Sequence, residues 1–245
     1  ATASMATTMS VDTAEHGTFR LSDLPPLPKP NLSEMRSQAL CGNLLVLSLI
    51  TIFCGLTNAI ALWGPSAHTG AAWWVVFVAI WGQTAIALVC LLAIMWADPG
   101  TVRRSEATCF PVPDAVAEKL RRGESLATIG NITRDGRTYC VRCLVWRPND
   151  GGRSGGRAGS SLTHHCQTCN RCVTEFDHHC GVFGRCIAGK CEFRGNIWAF
   201  RLILVMAASG AITCGAAVLS SFAANGSPSV PGSQSFPPAP PLSPT

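Results

Sequence analysis

The sequence predicts an α-helical multi-pass membrane protein with a cysteine-rich domain between its second and third spans. Three apolar runs, at residues 40–63, 72–97 and 202–224, are each long enough to cross a bilayer, which takes about 20 helical residues. Only 13% of the 245 residues are charged, whereas soluble domains average roughly 25%. Most of the 13 cysteines lie in the polar stretch between the second and third runs.

The first two runs are predicted to form a helical hairpin. Turn-forming residues 64–70 separate them, and Asp98-Pro99-Gly100 ends the second run sharply. Trp73, Trp74 and Trp96 lie near the ends of the second run, where aromatic anchors of membrane helices are expected. The alternative is a pair of buried helices in a soluble core, which we disfavour because the remaining sequence offers no such core.

The distribution of charge predicts the orientation of the spans. The loop at 64–71 has no Lys or Arg, whereas the loop at 98–201 holds most of them and is therefore predicted to be cytosolic. Arg36 places the N-terminus on the same side, and three spans then place the C-terminus in the lumen or outside. The net charge of +5 is modest and the basic segment also holds acidic residues, so the expected partner is the lipid bilayer and not nucleic acid.

The segments outside the spans differ in composition, and each receives its own prediction. They comprise a disordered cytosolic tail at 1–36, a cytosolic linker at 98–137 with an amphipathic helix over Asp114–Arg122, the cysteine-rich domain at 138–196 with a Gly-rich insertion at 149–161, and a disordered Ser/Pro-rich tail at 225–245.

The cysteine-rich domain has the ligand spacing of zinc sites. Cys140 and Cys143 form a C-x-x-C pair, and Cys166, Cys169 and Cys172 repeat at three-residue spacing directly after a histidine. A tetrahedral zinc ion takes four thiolate or imidazole ligands, and the region offers enough for two closed sites with residues left over. The cytosol keeps such thiols reduced, so zinc is favoured over disulfides.

The tetrapeptide Asp177-His178-His179-Cys180 places an acid, two imidazoles and a thiol in sequence. In an extended strand, His178 and Cys180 share one face while His179 points to the other. An imidazole beside a thiol can take its proton and generate a nucleophile, and Asp177 can fix the imidazole tautomer. Spacing alone leaves it equally open that His178 and Cys180 are further zinc ligands or spare residues.

Taken together, these motifs make the segment similar to the cysteine-rich domain of the DHHC protein palmitoyltransferases. The matching residues are Tyr139, Cys140, Cys143, Arg147, Pro148, His165, Cys166, Cys169, Cys172, Val173, Asp177, His178, His179, Cys180 and Cys186. The resemblance includes Asp98-Pro99-Gly100 and the three spans, and it covers roughly residues 40–224.

The resemblance implies two interleaved structural Zn²⁺ sites and a catalytic cysteine. Its zinc ligands would be Cys140, Cys143, His165 and Cys172 in one site, and Cys166, Cys169, His179 and Cys186 in the other. Cys180 would carry the acyl group, with His178 as general base oriented by Asp177. The implied protein S-acyltransferase takes a long-chain acyl group from acyl-CoA, such as palmitoyl-CoA, and passes it to cytosolic cysteines of membrane-associated substrate proteins. The implied location is an endomembrane (Golgi or ER) or the plasma membrane.

Several positions depart from the family pattern. Gly181-Val182 stands where the family usually has Pro-Trp, Arg185 where it has Asn, and Glu192-Phe193-Arg194 where it has an Asn-aromatic-Arg signature. The family's fourth span is missing, so we expect a truncated chain or a divergent three-span member. One alternative is a catalytically impaired, membrane-anchored zinc-binding interaction module. A thiol redox protein using Cys166 and Cys169 is the other, which zinc occupancy disfavours because it silences those thiols.

Overall fold

The computed structural model describes residues 19–63, 71–148, 162–189 and 195–226. In chain order, the described helices and strands are α1 (Leu32–Trp63), α2 (Ala71–Trp96), α3 (Glu106–Cys109), α4 (Asp114–Arg121), β1 (Ile132–Arg134), β2 (Arg137–Cys140), β3 (Val145–Trp146), β4 (His164–Cys166), β5 (Arg171–Val173), β6 (Phe176–Cys180), β7 (Arg185–Ala188) and α5 (Ile197–Gly226). The chain divides into two compact units, one built from Cys41–Met95 and Ala199–Thr245, the other from Ala1–Leu40 and Trp96–Trp198.

The first unit is helical and contains most of α1, α2 and α5. Within the described residues, three segments are long and apolar enough to cross a membrane, namely Leu32–Ala61, Trp73–Trp96 and Ile197–Ala223. Large apolar side chains such as Val75, Ile212 and Leu219 are 68–73% exposed, as expected of surfaces that face lipid. Three apolar helices of this kind agree with the predicted fold class.

A few polar contacts link the helices of this unit. Cys54 Sγ of α1 lies 3.0 Å from Thr84 Oγ1 of α2, and Gln83 Nε2 donates to Thr213 Oγ1 of α5 at 3.1 Å. Gly210 lets α5 approach the ring of Phe53, because a Cβ there would lie 3.2 Å from that ring. Small residues and interhelical hydrogen bonds of this kind are typical of helices packed in membranes.

Within the described residues, the second unit contains three small antiparallel sheets, with strand orders β1-β2-β3, β4-β5 and β6-β7. Its main core surrounds the first sheet and includes Tyr139 and Trp146, whose rings pack edge to face at 5.1 Å. The predicted linker at 98–137 is folded into this core, because Cys109 of α3 and Val116 of α4 are fully buried in it. Helix α4 confirms the predicted amphipathic helix to within one residue.

The structure differs from the predicted disordered tail at residues 19–36. Leu24 is buried in the same core, and the carbonyl oxygens of the Pro-rich segment accept side-chain hydrogen bonds from Arg104, Asn170 and Arg171. Prolines restrict the unfolded chain, so less conformational entropy is lost when such a segment is ordered. Helix α1 begins at Leu32, earlier than the apolar run, because Asn31 caps it: its side chain accepts from the Glu34 amide at 3.4 Å.

Other sequence predictions fall outside the described residues. These are residues 1–18 of the tail, the insertion at 149–161, and residues 227–245 of the Ser/Pro-rich segment, of which residues 225–226 belong to α5.

Candidate functional site

Four buried side chains converge between the first and second sheets of the cysteine-rich unit: Cys140, Cys143, His165 and Cys172. The thiol sulfurs of Cys143 and Cys140 lie 3.2 and 3.7 Å from His165 Nδ1. A tetrahedral zinc ion with Zn–S near 2.3 Å and Zn–N near 2.0 Å sets its ligand atoms about 3.5–3.8 Å apart. The spacing in this cluster therefore fits such an ion.

A second cluster has the same donor set, and it consists of Cys166, Cys169, His179 and Cys186. The sulfurs of Cys166 and Cys169 each lie 3.5 Å from His179 Nδ1, and the Cys186 and Cys169 sulfurs are 3.4 Å apart. Three cysteines and one histidine without an open position form the donor set of a closed structural zinc site, not of a catalytic one.

The strands explain why the two clusters interleave. Successive residues of a strand point to opposite faces, so β4 sends His165 to the first cluster and Cys166 to the second. Cross-strand pairing then sets the partners, because His165 lies opposite Cys172 and His179 lies opposite Cys186. Two-stranded hairpins are marginally stable alone, so the clusters are the natural source of their stability.

Contacts among the side chains of each cluster shift several of their pKa values. In the first cluster, hydrogen bonds from Cys143 and Cys172 hold the pKa of Cys140 far below its usual value. Hydrogen bonds with Cys140 and Cys143 raise the pKa of Cys172, and contacts with the same two thiols raise the imidazole pKa of His165 to about 9. One thiolate thus forms at the expense of its neighbours, whereas a divalent cation stabilises all three thiolates and the neutral imidazole together.

In the second cluster, too, the pKa of one thiol is lowered while that of a neighbouring thiol is raised. Hydrogen bonds from Cys169 and Cys186 lower the pKa of Cys166, and the contact with Cys166 raises the pKa of Cys169 to about 11. Both sets of residues therefore fit a zinc ion, in the groups that the resemblance implied.

Cys180, His178 and Asp177 lie on β6 beside the second cluster, and among the described residues they belong to neither cluster. His178 Nδ1 lies 2.7 Å from Asp177 Oδ2, with both side chains about half exposed. Cys180 is buried at the end of the strand, opposite Arg185. On this strand His179 therefore joins a cluster, whereas the preceding His178 contacts Asp177.

Two further residues contact the second cluster and were not predicted. Asn196 is fully buried: its Oδ1 accepts from the Ala188 amide at 3.0 Å and its Nδ2 donates to the Cys186 carbonyl at 2.9 Å. Gln38 Oε1 lies 3.1 Å from His179 Nε2. No sequence motif indicated either residue: Gln38 is 141 residues from His179, and Asn196 bonds only to backbone groups in these contacts. The departure from the family pattern at 192–194 lies outside the described residues.

Apolar helices together with two Cys/His metal clusters define a membrane-associated protein with a zinc-binding domain. A family model described as DHHC palmitoyltransferase matches residues 133–229, which include every residue of both clusters, the strand β6 and α5. The resemblance seen in the sequence is thereby confirmed for residues 133–229, which are similar to the DHHC palmitoyltransferases. No curated protein matches the chain.

Proposed function

We propose that the protein is a protein S-acyltransferase that takes a long-chain acyl group from acyl-CoA onto Cys180 and passes it to cysteines of membrane-associated proteins. One observation carries the proposal: on a single strand, His178 pairs with Asp177 at 2.7 Å, while its neighbour His179 joins a metal cluster. An imidazole oriented by an acid, two residues along the same strand from a thiol, supports assigning His178 as the general base and Cys180 as the nucleophile.

The first step loads the enzyme. Asp177 accepts the Nδ1 hydrogen of His178, so the imidazole keeps its lone pair on Nε2 and takes the proton of the Cys180 thiol. The thiolate attacks the thioester carbonyl of acyl-CoA, and the CoA sulfur leaves with its electron pair and takes the proton from His178. One thioester is exchanged for another, and no oxidant or reductant is required.

The second step transfers the acyl group. A substrate cysteine gives its proton to His178 and attacks the thioester on Cys180, whose sulfur leaves and is protonated in turn. General-base catalysis of this kind contributes roughly 10²–10⁴-fold. Zinc, when bound, supplies about 10–16 kcal/mol of folding free energy per structural site. His179 would then anchor β6 to the metal site, while the adjacent His178 and Cys180 take part in the reaction.

The three apolar helices support a location at the membrane. An acyl chain gains about 0.8 kcal/mol for each CH₂ that it buries, so it is expected to lie among the apolar helices. We propose that the cysteine-rich domain lies on the cytosolic side, between the second and third spans, as the excess of Lys and Arg in this part of the sequence favours. An endomembrane or the plasma membrane would hold the substrates. The interaction-module alternative is not favoured, because the acid–imidazole pair is formed.

Metabolic labelling with an alkyne fatty acid tests the proposal. The wild-type chain should carry a label that neutral hydroxylamine removes, because hydroxylamine cleaves thioesters. The purified protein in detergent should then pass the label to an added cysteine peptide from a membrane protein. A wild-type protein that holds two zinc ions but never acquires a hydroxylamine-labile label would overturn the proposal.

A further inference from the structure

Both ring nitrogens of His179 have partners of different kinds. Nδ1 faces the three thiols of the second cluster, and Nε2 lies 3.1 Å from Gln38 Oε1. An imidazole that binds a metal through Nδ1 keeps its hydrogen on Nε2, and the amide oxygen of Gln38 is an acceptor. Hydrogen bonds of this kind orient metal-binding histidines and raise their basicity.

In the first cluster, the corresponding imidazole nitrogen has no such hydrogen-bond acceptor in the part of the chain that the structure describes. His165 Nε2 is buried and has no hydrogen-bond partner among the described residues. The two clusters share one donor set but differ at this atom, so the first cluster serves as an internal reference for the second.

The orientation of the Gln38 amide is itself fixed. Its Nε2 donates to Glu34 Oε1 at 3.1 Å, which leaves Oε1 for His179. Glu34 Oε2 in turn accepts from Asn31 Nδ2 at 2.7 Å. The backbone N–H of Asn31 donates to the carbonyl oxygen of Thr168 at 2.9 Å. Thr168 lies between two cysteines of the second cluster, so the chain of hydrogen bonds begins and ends at the same metal site.

Backbone packing holds the same two elements together. The turn after β6 contacts the first turns of α1 so closely that a Cβ at Gly184 would overlap the Met35 carbonyl oxygen. Gly181, the residue after Cys180, is also near this helix, because its Cβ would lie 3.9 Å from Gln38 Nε2. The helix therefore contacts the cluster histidine and the turn that follows Cys180.

We propose that Gln38 is a positioning residue for the second metal site, which makes the first turns of α1 a functional part of that site. Through His179, Gln38 fixes the strand that carries His178 and Cys180. The effect on acyl transfer rests on the proposed function, whereas the effect on metal retention does not.

The test measures zinc release from the full-length protein in detergent to a chromogenic chelator. Gln38→Leu removes the acceptor, and we expect one of the two zinc ions to leave about 10–100-fold faster while the other leaves as in the wild type. Ser37→Leu is the matched control, because it places the same side chain on an exposed position of the same turn and should release zinc as the wild type does.

A charge-swapped variant separates the hydrogen bond from packing. Glu34→Gln with Gln38→Glu keeps an acceptor for His179 and a donor between the two helix positions, so it should restore slow release of both ions. Cobalt substitution adds a spectroscopic readout, in which Gln38→Leu should shift the d–d bands of one site only.

Three outcomes would overturn the inference. The first is zinc release from Gln38→Leu at the wild-type rate. The second is zinc release from the swapped variant as fast as from Gln38→Leu, and the third is accelerated zinc release from Ser37→Leu. Acyl loading of Cys180 is followed in parallel and should fall by the same 10–100-fold in Gln38→Leu. If the wild type does not load acyl groups, the proposed function fails, but the zinc measurements still decide the role of Gln38.

Discussion

Replacing each of the adjacent histidines on β6 by alanine should give opposite results. His178 contacts Asp177 and lies outside both clusters, so His178→Ala should retain two zinc ions and the native fold. Loss of a general base typically costs about 10²–10⁴-fold, so the rate of acyl loading should fall within that range. The loss concerns the chemical step alone, because no metal ligand is removed.

His179→Ala should instead lose one metal ion and unfold its hairpin. His179 is one of four ligands, and its Nδ1 contacts all three sulfurs of its cluster within 3.9 Å. A structural zinc ion contributes about 10–16 kcal/mol, whereas a whole domain is stable by only about 5–15 kcal/mol. The β6–β7 hairpin has little core of its own, so the loss of this ion exceeds what packing can replace.

Two measurements on the purified proteins decide between these outcomes. Elemental analysis gives zinc per chain, and a radiolabelled acyl-CoA gives the loading rate after rapid quenching. The assignment predicts close to two zinc ions with slow loading for His178→Ala, and close to one with no loading for His179→Ala. If His178→Ala loses zinc while His179→Ala keeps it, the roles of base and ligand are reversed and the reasoning from alternating faces is refuted.

Three further predictions address the nucleophile, the turn and the proton balance. Cys180→Ser should keep both zinc ions but lose the hydroxylamine-labile label; a persistent label would place the nucleophile elsewhere. Gly184→Ala should destabilise the protein in chemical denaturation by about 1–3 kcal/mol more than Gly123→Ala, because both glycines have φ near +62° but only the first meets backbone atoms; equal losses would contradict the contact. Apparent zinc affinity, measured by chelator competition, should rise with pH toward about 9, because the raised pKa of His165 keeps the imidazole protonated below that value and protons compete with the metal; a flat profile would refute this.

The sign of the last effect follows from the direction of the pKa shift. Without metal, the imidazolium of His165 is stabilised by its thiol contacts, so its contribution to folding is complete below its ordinary pKa near 6.5 and disappears as the pH rises through about 9. Zinc binding requires the neutral ring. Raising the pH therefore weakens the metal-free arrangement and strengthens the metal-bound one, and both changes favour uptake of the ion.

The metal clusters could be predicted from the sequence because their determinants are local. C-x-x-C turns bring two sulfurs together whatever the rest of the chain does, and strand alternation separates His165 from Cys166. The apolar helices were likewise predictable, since length and hydropathy alone decide whether a helix can span a bilayer. In each case a few neighbouring residues contain the physical cause.

The contacts of residues 19–38 could not be predicted in this way. A Pro-rich, polar segment has the composition of a disordered tail, and only the folded domain supplies Arg104, Asn170 and Arg171 as donors to its carbonyl groups. The partner of Gln38 lies 141 residues away, so no periodicity or spacing rule connects them. Asn196 was missed because its hydrogen bonds go to backbone groups of β7, which become available only when that strand has paired.

The turn at residues 181–184, which includes the Gly181-Val182 departure, packs against the first turns of α1. Where the family pattern has a bulky Pro-Trp pair, this chain has Gly181-Val182, followed two residues later by Gly184. A Cβ at Gly184 would collide with Met35 and Ala39, and one at Gly181 would just reach the Gln38 amide. Gly184 therefore allows the first turns of α1 to approach the turn that follows Cys180, and Gln38 of the same helix segment contacts His179. The close approach at Gly184 and the hydrogen-bond distance between Gln38 and His179 thus belong to one contact between α1 and the β6–β7 hairpin.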